Sequence, residues 1–316
     1  MKRLLITLSV VLLVLLVSTV GASYYMLDYS LAPDAERSDT ALRFRQLTDE
    51  YPEVKPWLDS LKACHAFRDT FVVMPTGEKH HAYYVSHPDS RTTALIIHGW
   101  RDCAIDFLYL ARIYSQLLGC HVLLPDLHGH GLSEGAAVGM GWHERHDVLH
   151  WIEVASGLFK SNDFVVHGVS MGAATTMNVS GEKLPACVRS MHFVEDCGYT
   201  SVWDEFSHEL NADFHLPPFP LMFTTSLLCR LHYGWSFGEA APLRQVRRCR
   251  YPMLFIHGDR DDFVPTRMVY ALYEAKPGPK SLWITKGCVH ARSYAGYPDE
   301  YAHRLSLFLN MPLVEQ

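Results

Sequence analysis

The sequence predicts an α/β fold in which a mostly parallel sheet of about eight strands carries helices on both faces. Short apolar stretches alternate along the chain with amphipathic stretches of helical length, the pattern of a parallel sheet covered on two sides. Three apolar stretches end in His-Gly, at positions 98–99, 167–168 and 257–258. Because buried strands need glycine where the chain turns away sharply, and such sheets carry their chemistry at the carboxyl ends of strands, these loops are expected at one functional edge.

The composition is that of a globular protein and excludes several classes of function. The chain has 316 residues, of which 48% are hydrophobic, enough apolar material for one large core. A formal net charge of −6 argues against a nucleic-acid partner, which requires a basic face. There is no Cys-x-x-Cys pair, and the histidine-rich stretch at 143–150 lacks the spacing of a zinc-hydrolase motif. We therefore expect neither a metal nor a cofactor.

Residues 1–27 are apolar over a length that can cross a bilayer. Lys2 and Arg3 precede an apolar run interrupted only by small hydroxyl residues, glycine and alanine. These two charges hold the N-terminus in the cytoplasm, so the sequence predicts a membrane-anchored protein with its main domain outside the cytoplasm. The tripeptide at 20–22 (Val-Gly-Ala) also suits a signal-peptide cleavage site, which leaves secretion as the alternative. The length of the run favours the uncleaved anchor.

The rest of the chain divides into a leading segment and one large domain. Residues 28–68 are expected to be a polar linker with helices, and residues 69–316 the globular domain. Strands are predicted at 70–74, 81–86, 94–97, 121–124, 164–166, 188–194, 253–256 and 282–285. Helices are predicted at 105–118, 143–159, 171–179, 267–275 and 300–309. The aromatic-rich stretch from about 198 to 250 interrupts the alternation and is interpreted as an inserted lid over the sheet edge.

A Gly-x-Ser-x-Gly element, residues 168–172, lies between a predicted strand and a predicted helix. The glycines suit a cramped, strained turn that pushes the hydroxyl of Ser170 clear of the sheet. The helix that begins after this turn directs backbone N–H groups toward developing negative charge. The pattern predicts that Ser170 is the nucleophile.

A serine hydroxyl needs a base that removes its proton, and histidine is the residue suited to this. The expected chain order is serine, acid, histidine, which leaves His290 and His303 as candidates. His303 falls within the last predicted helix, whereas His290 follows a strand and a turn. We therefore predict that His290 is the general base.

The carboxylate that orients this base is expected after the strand at 253–256. That loop contains Asp259, Asp261 and Asp262, and the role needs one specific carboxylate. The spacing from the preceding glycine to the following Val-Pro favours Asp261. Glu195 or Asp196, at the end of the preceding strand, is the alternative.

Acyl transfer also requires N–H donors for the oxyanion of the tetrahedral intermediate. The backbone N–H of Met171, directly after the predicted nucleophile, is one candidate. The backbone N–H of Trp100, in the His-Gly-Trp loop at 98–100, is the other.

These motifs together resemble the α/β-hydrolase superfamily from about residue 70 to residue 310. The resemblance is carried by the His-Gly-Trp loop, the Pro-Asp-Leu-His-Gly-His-Gly-Leu-Ser segment at 125–133, the Ser170 element, the Asp261 loop and His290. In detail the chain is similar to membrane-anchored bacterial members related to serine aminopeptidases and monoacylglycerol lipases. The resemblance implies hydrolysis through an acyl-enzyme without a cofactor, and it implies a structural role for Asp126. One departure is Val289 in place of a glycine before the histidine.

Three functions remain open from the sequence. A carboxylic-ester hydrolase for small or medium acyl substrates is favoured, because an aromatic lid suits an apolar acyl group. An exopeptidase or amidase would need carboxylates that bind a substrate ammonium, which Glu205, Glu209 and Asp213 offer. A non-catalytic anchored binding protein is disfavoured, since each catalytic position holds a competent residue. The expected partners are a small ester or peptide substrate and the membrane.

Overall fold

The structure is a computed structural model, and it describes residues 1–34 and 38–314. The described chain divides into two compact units. The larger unit comprises Pro33–Thr200 and Pro242–Gln316, and the smaller comprises Met1–Ala32 and Ser201–Ala241.

An eight-stranded sheet forms the centre of the larger unit, in the order β1-β2-β4-β3-β5-β6-β7-β8. Strand β2 is antiparallel to both of its neighbours, whereas β3 to β8 run parallel to one another. The strands are β1 (Phe67–Val73), β2 (Lys79–Val85), β3 (Thr92–Ile97), β4 (His121–Pro125), β5 (Asp163–Val169), β6 (Ser190–Asp196), β7 (Met253–Gly258) and β8 (Lys280–Thr285). This confirms the predicted mostly parallel sheet of eight strands.

Helices lie on both faces of this sheet. Those of the larger unit are α2 (Thr40–Glu50), α3 (Val54–Ala63), α4 (Leu108–Arg112), α5 (Glu144–Phe159), α6 (Met171–Ser180), α9 (Pro242–Val246), α10 (Arg267–Ala275), α11 (Ser293–Gly296) and α12 (Pro298–Leu309). Helices α5 and α6 pack on one face, where α6 contacts β3, β5 and β6. Residues of α3, α4 and α12 share a buried cluster with alternate residues of β3, β4 and β7, for example Leu58, Leu108, Leu305, Ile96 and Ile256.

The register of the parallel strands brings their carboxyl ends to one edge. Ile97 at the end of β3 pairs with Gly168 of β5, and Asp196 at the end of β6 pairs with Ile256 of β7. Gly258, the last residue of β7, pairs with Thr285 at the end of β8. The loops that follow β3, β5, β6, β7 and β8 therefore leave the sheet at the same level. The three His-Gly dipeptides predict such a shared edge.

One predicted helix differs from the structure. Residues 105–118 were expected to form a single helix, but the segment consists of a 3₁₀ turn at Ala104–Phe107, the short helix α4 and a π-helical turn at Ile113–Leu117. The turn at 104–107 is held by Asp106, whose Oδ2 accepts a 2.9 Å hydrogen bond from the N–H of Cys103. This side-chain acceptor favours a separate tight turn at the start of the segment.

The smaller unit joins the N-terminal segment to the inserted stretch. It contains α1 (Lys2–Leu31), α7 (Val202–Phe214) and α8 (Leu221–Tyr233). Helix α1 continues beyond the predicted end of the anchor, and its C-terminal part packs on α8, where Leu27 and Leu31 are buried. Ser23 Oγ donates a 2.9 Å hydrogen bond to Thr224 Oγ1 of α8. This unit ends at residue 241 rather than 250, because α9 packs on α6 in the larger unit.

Candidate active site

Ser170 lies at the sharp turn between β5 and α6. Its backbone has φ of 57° and ψ of −120°, a region that a residue with a side chain rarely occupies. The N–H of Ser170 donates a 2.8 Å hydrogen bond to the carbonyl oxygen of Asp196, at the end of the neighbouring strand. This contact holds the turn. The Ser170 side chain is only partly buried.

The two glycines of this element are required by close backbone approach. A Cβ atom added at Gly168 would overlap the carbonyl oxygen of Gly172, and one added at Gly172 would overlap the carbonyl oxygen of Ile97 in β3. Helix α6 therefore begins so close to β3 and β5 that no side chain fits at either position. The spacing of the motif reflects this packing as well as the turn itself.

His290 contacts the hydroxyl of Ser170 from the loop that follows β8. The distance from His290 Nε2 to Ser170 Oγ is 2.8 Å, so the imidazole nitrogen can accept the hydroxyl proton. The ring of Phe263 packs on the imidazole, with 4.9 Å between ring centroids. Gly287, with φ of 77°, makes the preceding turn, so the valine at position 289 does not prevent the approach.

Asp261 accepts a hydrogen bond from the other nitrogen of the same ring. His290 Nδ1 lies 2.8 Å from Asp261 Oδ2, and the backbone N–H of Val264 donates to Asp261 Oδ1 at 2.9 Å. Burial by itself raises the pKa of a carboxyl group, but hydrogen bonds from His257 and His290 outweigh it, and the pKa of Asp261 lies below its usual value. Asp261 is therefore ionised at neutral pH, as the orientation of the imidazole requires.

The other candidate acids have different partners. Asp259 is exposed, and its Oδ1 accepts a 2.6 Å hydrogen bond from the N–H of Gly287 in the turn that precedes the histidine. Asp262 is also exposed. Asp196 is buried, and its Oδ2 accepts a 2.9 Å hydrogen bond from the hydroxyl of Tyr301. Burial raises the pKa of Asp196 to about 6 despite the hydrogen bonds that it accepts.

Glu195 is also turned away from the imidazole. It is fully buried, and its Oε2 accepts a 3.0 Å hydrogen bond from the N–H of Gly198. Burial raises the pKa of this carboxyl group well above its usual value. Among the candidates, the hydrogen bond to His290 Nδ1 is therefore made by Asp261.

The His-Gly-Trp loop passes beside Ser170. A Cβ atom added at Gly99 would lie 3.5 Å from the Cβ of Ser170, so the backbone at 99–100 is next to the hydroxyl. His98 holds this loop: its Nδ1 donates to the carbonyl oxygen of Gly99 at 2.8 Å, and its Nε2 accepts from the N–H of Leu127 at 2.9 Å. Burial lowers the pKa of His98 to about 4, so the ring stays neutral and keeps both contacts.

The segment at 125–133 is held by the buried carboxylate of Asp126. Its Oδ1 accepts from the N–H of Ala104 at 2.8 Å, and its Oδ2 accepts from the N–H of Leu132 at 3.0 Å and from His81 Nδ1 at 2.7 Å. These bonds join three separate segments of chain. They are consistent with the structural role that the resemblance implies for Asp126.

His257 is part of the site, although the sequence indicated only the glycine that follows it. Its Nε2 donates to the carbonyl oxygen of Val264 at 2.8 Å and lies 3.2 Å from Asp261 Oδ2. The side chain is completely buried. The only sequence signal for this contact is that His257 ends an apolar strand four residues before Asp261. That signal is not specific, because His98 and His167 also end apolar strands and have other partners.

Metal-ligating side chains come together at two places in the described part of the chain. Cys197, Asp261 and His290 form one group, with ligand atoms within 4.8 Å of one another. The hydrogen bond between Asp261 and His290 already accounts for this proximity. The second group, Glu78, His80 and His128, lies outside the Ser170 site. The sequence did not predict either group.

Comparison with known proteins places this arrangement in a recognised architecture. No family model matches the chain. A protein of Bacillus subtilis (strain 168), the uncharacterized protein YqkD, is 28% identical over 256 residues, which cover 80% of this chain and 83% of that protein. A Pyrococcus furiosus esterase, Pf2001, superposes with a TM-score of 0.63 at 20% identity over 77% of this chain and 92% of that chain. A bacterial membrane phospholipase A, described as a virulence factor, superposes with a TM-score of 0.56 at 17% identity over 98% of both chains. This chain has the α/β-hydrolase fold, as its motifs predicted.

Proposed function

We propose that this protein is a serine hydrolase that cleaves carboxylic esters of small or medium acyl groups through an acyl-enzyme. One observation carries the proposal: a single imidazole, that of His290, is 2.8 Å from the hydroxyl of Ser170 and 2.8 Å from the carboxylate of Asp261. A hydroxyl, a base and an orienting acid in this order are the elements of nucleophilic acyl transfer.

The proposed reaction has two halves. His290 Nε2 accepts the proton of Ser170 as Oγ attacks the ester carbonyl, and Asp261 stabilises the resulting imidazolium. The tetrahedral intermediate collapses, the C–O bond to the alcohol breaks, and His290 gives its proton to the leaving oxygen. Water then attacks the acyl-serine with His290 again as base, and the acid and free Ser170 are released.

The oxyanion is proposed to be stabilised by the backbone N–H groups of Met171 and Trp100. Met171 is the first residue of α6, where an N–H group has no partner within its own helix. The loop that contains Trp100 passes beside Ser170, as the 3.5 Å approach at Gly99 shows. Donors of this kind act on charge that develops only in the transition state.

Esters are proposed as substrates in preference to peptides. The Pyrococcus esterase and the membrane phospholipase A described above both act on esters by their names, and they share the fold. The exopeptidase alternative rests on Glu205, Glu209 and Asp213, of which Glu205 is buried. The alternative of a non-catalytic binding protein is disfavoured by the intact hydrogen-bonded arrangement of Ser170, His290 and Asp261.

A membrane location is proposed from the smaller unit. Helix α1 has an 18-residue window of mean hydropathy 2.7 with none of it buried, which a membrane-spanning helix and a signal sequence both satisfy. Helix α8 packs on α1. It exposes Phe223, Leu227 and Leu231 at a spacing of four residues, and Phe219 in the turn before the helix extends this stripe; the four side chains are 57% to 71% exposed. Because α8 packs on a candidate membrane helix, we assign the stripe to the surface of the bilayer.

Activity and labelling test the enzymatic proposal. Full-length protein in detergent is assayed with short-chain aryl esters and with aminoacyl amides, and it is labelled with a fluorophosphonate. Ser170→Ala is expected to lower ester hydrolysis by at least about 10⁴-fold and to abolish labelling. Ser281→Ala, an exposed serine on β8, serves as the matched control and is expected to change neither.

Two outcomes count against the proposal. Equal rates for wild type and Ser170→Ala would remove the assigned nucleophile. Faster turnover of aminoacyl amides than of esters would favour the exopeptidase instead.

A further inference from the structure

A group of three side chains outside the Ser170 site has the composition and spacing of a metal site. Glu78 lies in the turn between β1 and β2, His80 lies on β2, and His128 lies in the loop after β4. Glu78 Oε2 is 3.1 Å from His128 Nδ1 and 3.8 Å from His80 Nε2. In a tetrahedral zinc site with bonds of about 2.0–2.2 Å, neighbouring ligand atoms are about 3.4 Å apart, so the two distances bracket this value.

His80 supplies an independent observation that points to a ligand. The side chain is completely buried, and neither ring nitrogen has a hydrogen-bond partner among residues 1–34 and 38–314. Glu78 Oε2 and Asp147 Oδ2 face its two nitrogens, each at 3.8 Å, which is too far for a hydrogen bond. A neutral imidazole has one N–H donor and one lone pair, and burying both without partners is unfavourable. An ion bound at Nε2 satisfies the lone pair.

The charge state of this histidine suits a ligand. Burial of the ring disfavours its charged form, and a neutral imidazole keeps a lone pair for a metal. The carboxylate of Glu78 lies next to both imidazoles.

We propose that Glu78, His80 and His128 bind one zinc ion, through Oε2, Nε2 and Nδ1 respectively. Two imidazole nitrogens and one carboxylate oxygen are a donor set typical of zinc, and a fourth position remains for water or a further ligand. Asp147 Oδ2 lies 3.8 Å from Nδ1 of His80, so it is a neighbour of the ring and not a hydrogen-bond partner. The ion would join the β1–β2 turn to the loop after β4.

The proposal is independent of ester hydrolysis, so its test uses metal binding. Full-length protein without a polyhistidine tag is purified in detergent, stripped with a chelator and titrated with Zn²⁺, and bound zinc is measured after equilibrium dialysis. One zinc ion per chain is expected. Cobalt substitution should give the intense visible absorption of a tetrahedral site.

Variants assign the ion to this group. His128→Ala and Glu78→Gln are expected to abolish stoichiometric binding. The side chains of Glu78 and His128 are partly exposed, so equal melting temperatures of these variants and wild type in the presence of chelator show that the fold is retained.

Controls separate this group from other histidines. His303→Ala, at an exposed position on α12, and His290→Ala, in the Ser170 site, are both expected to retain one zinc ion per chain. The proposal is overturned if wild type binds less than about one-tenth of a zinc ion per chain. It is also overturned if binding is lost in His290→Ala but kept in His128→Ala.

Discussion

Replacing Asp261 by asparagine keeps the shape of the side chain but converts one carboxylate oxygen into an NH₂ group. In the protein, Oδ1 accepts from the N–H of Val264 at 2.9 Å, and Oδ2 accepts from His290 Nδ1 at 2.8 Å with His257 Nε2 at 3.2 Å. An amide has only one oxygen for these three donors. If that oxygen stays with Val264, the NH₂ group faces His290 Nδ1 and must donate to it.

The consequence is an imidazole with its proton on the wrong nitrogen. When Nδ1 accepts a hydrogen bond, the neutral ring carries its proton on Nε2, which lies 2.8 Å from Ser170 Oγ and then cannot accept the hydroxyl proton. The opposite amide orientation places NH₂ against the N–H of Val264, and a buried donor without an acceptor costs about 1–3 kcal/mol. The first arrangement is therefore favoured, and a loss of this kind lowers kcat by about 10⁴-fold in serine hydrolases.

The assay is kcat for a short-chain aryl ester with purified wild type and variant at neutral pH. We expect Asp261→Asn to lower kcat by about 10⁴-fold with little change in KM, since the effect acts on proton transfer and not on binding. Asp259→Asn and Asp262→Asn, exposed positions in the same loop, are matched controls expected to stay within about twofold. If the variant at 261 retains more than about a tenth of wild-type kcat, or if the variant at 259 loses as much activity, the role assigned to the Asp261 carboxylate is wrong.

Three further predictions follow from packing, burial and exposure. Gly168→Ala is expected to destabilise the protein by at least about 2 kcal/mol in urea unfolding, because the new Cβ would overlap the backbone of Gly172. Gly157→Ala, in open space on α5, is the control and should stabilise the protein by about 0.5–1 kcal/mol. Burial raises the pKa of Asp196 to about 6, so between about pH 4 and pH 6 the folded protein holds a proton that the unfolded chain has released. The free energy of unfolding therefore falls as pH rises through this range. Asparagine does not titrate, so the unfolding free energy of Asp196→Asn minus that of wild type should increase by about 2 kcal/mol from about pH 4.5 to pH 7. If this difference stays constant over that pH range, the prediction is contradicted. In vesicles, a fluorophore at Leu231→Cys should be quenched by brominated lipids, and one at the similarly exposed Leu307→Cys should not. Equal quenching would contradict the assigned membrane surface.

The fold was predictable because its signals are local. A buried parallel strand needs a short apolar run and a sharp exit, and both are visible in a few consecutive residues. The signal around Ser170 is also local, since its glycines are required by a strained turn and by the close approach of α6 to the sheet. The helix predicted at 105–118 failed in its details, because the turn at its start depends on the side chain of Asp106 and not on apolar periodicity.

Side-chain direction was not predictable in the same way. Asp259, Asp261 and Asp262 have the same chemistry and lie within four positions, and spacing could only favour one of them. In the folded chain Asp261 is buried against His257 and His290, whereas Asp259 binds the N–H of Gly287 and remains exposed. The choice depends on which loop, 29 residues further along the chain, lies against each carboxylate.

The class of sheet, the strained turn at Ser170 and the apolar character of the first helix are encoded locally, because each depends on neighbouring residues and on backbone geometry. Long-range packing was needed to show which carboxylate contacts His290, that α1 packs with the inserted helix α8, and that Glu78, His80 and His128 lie together. Those three outcomes join residues that are distant in the chain, and long-range packing sets them through contacts that no local pattern encodes.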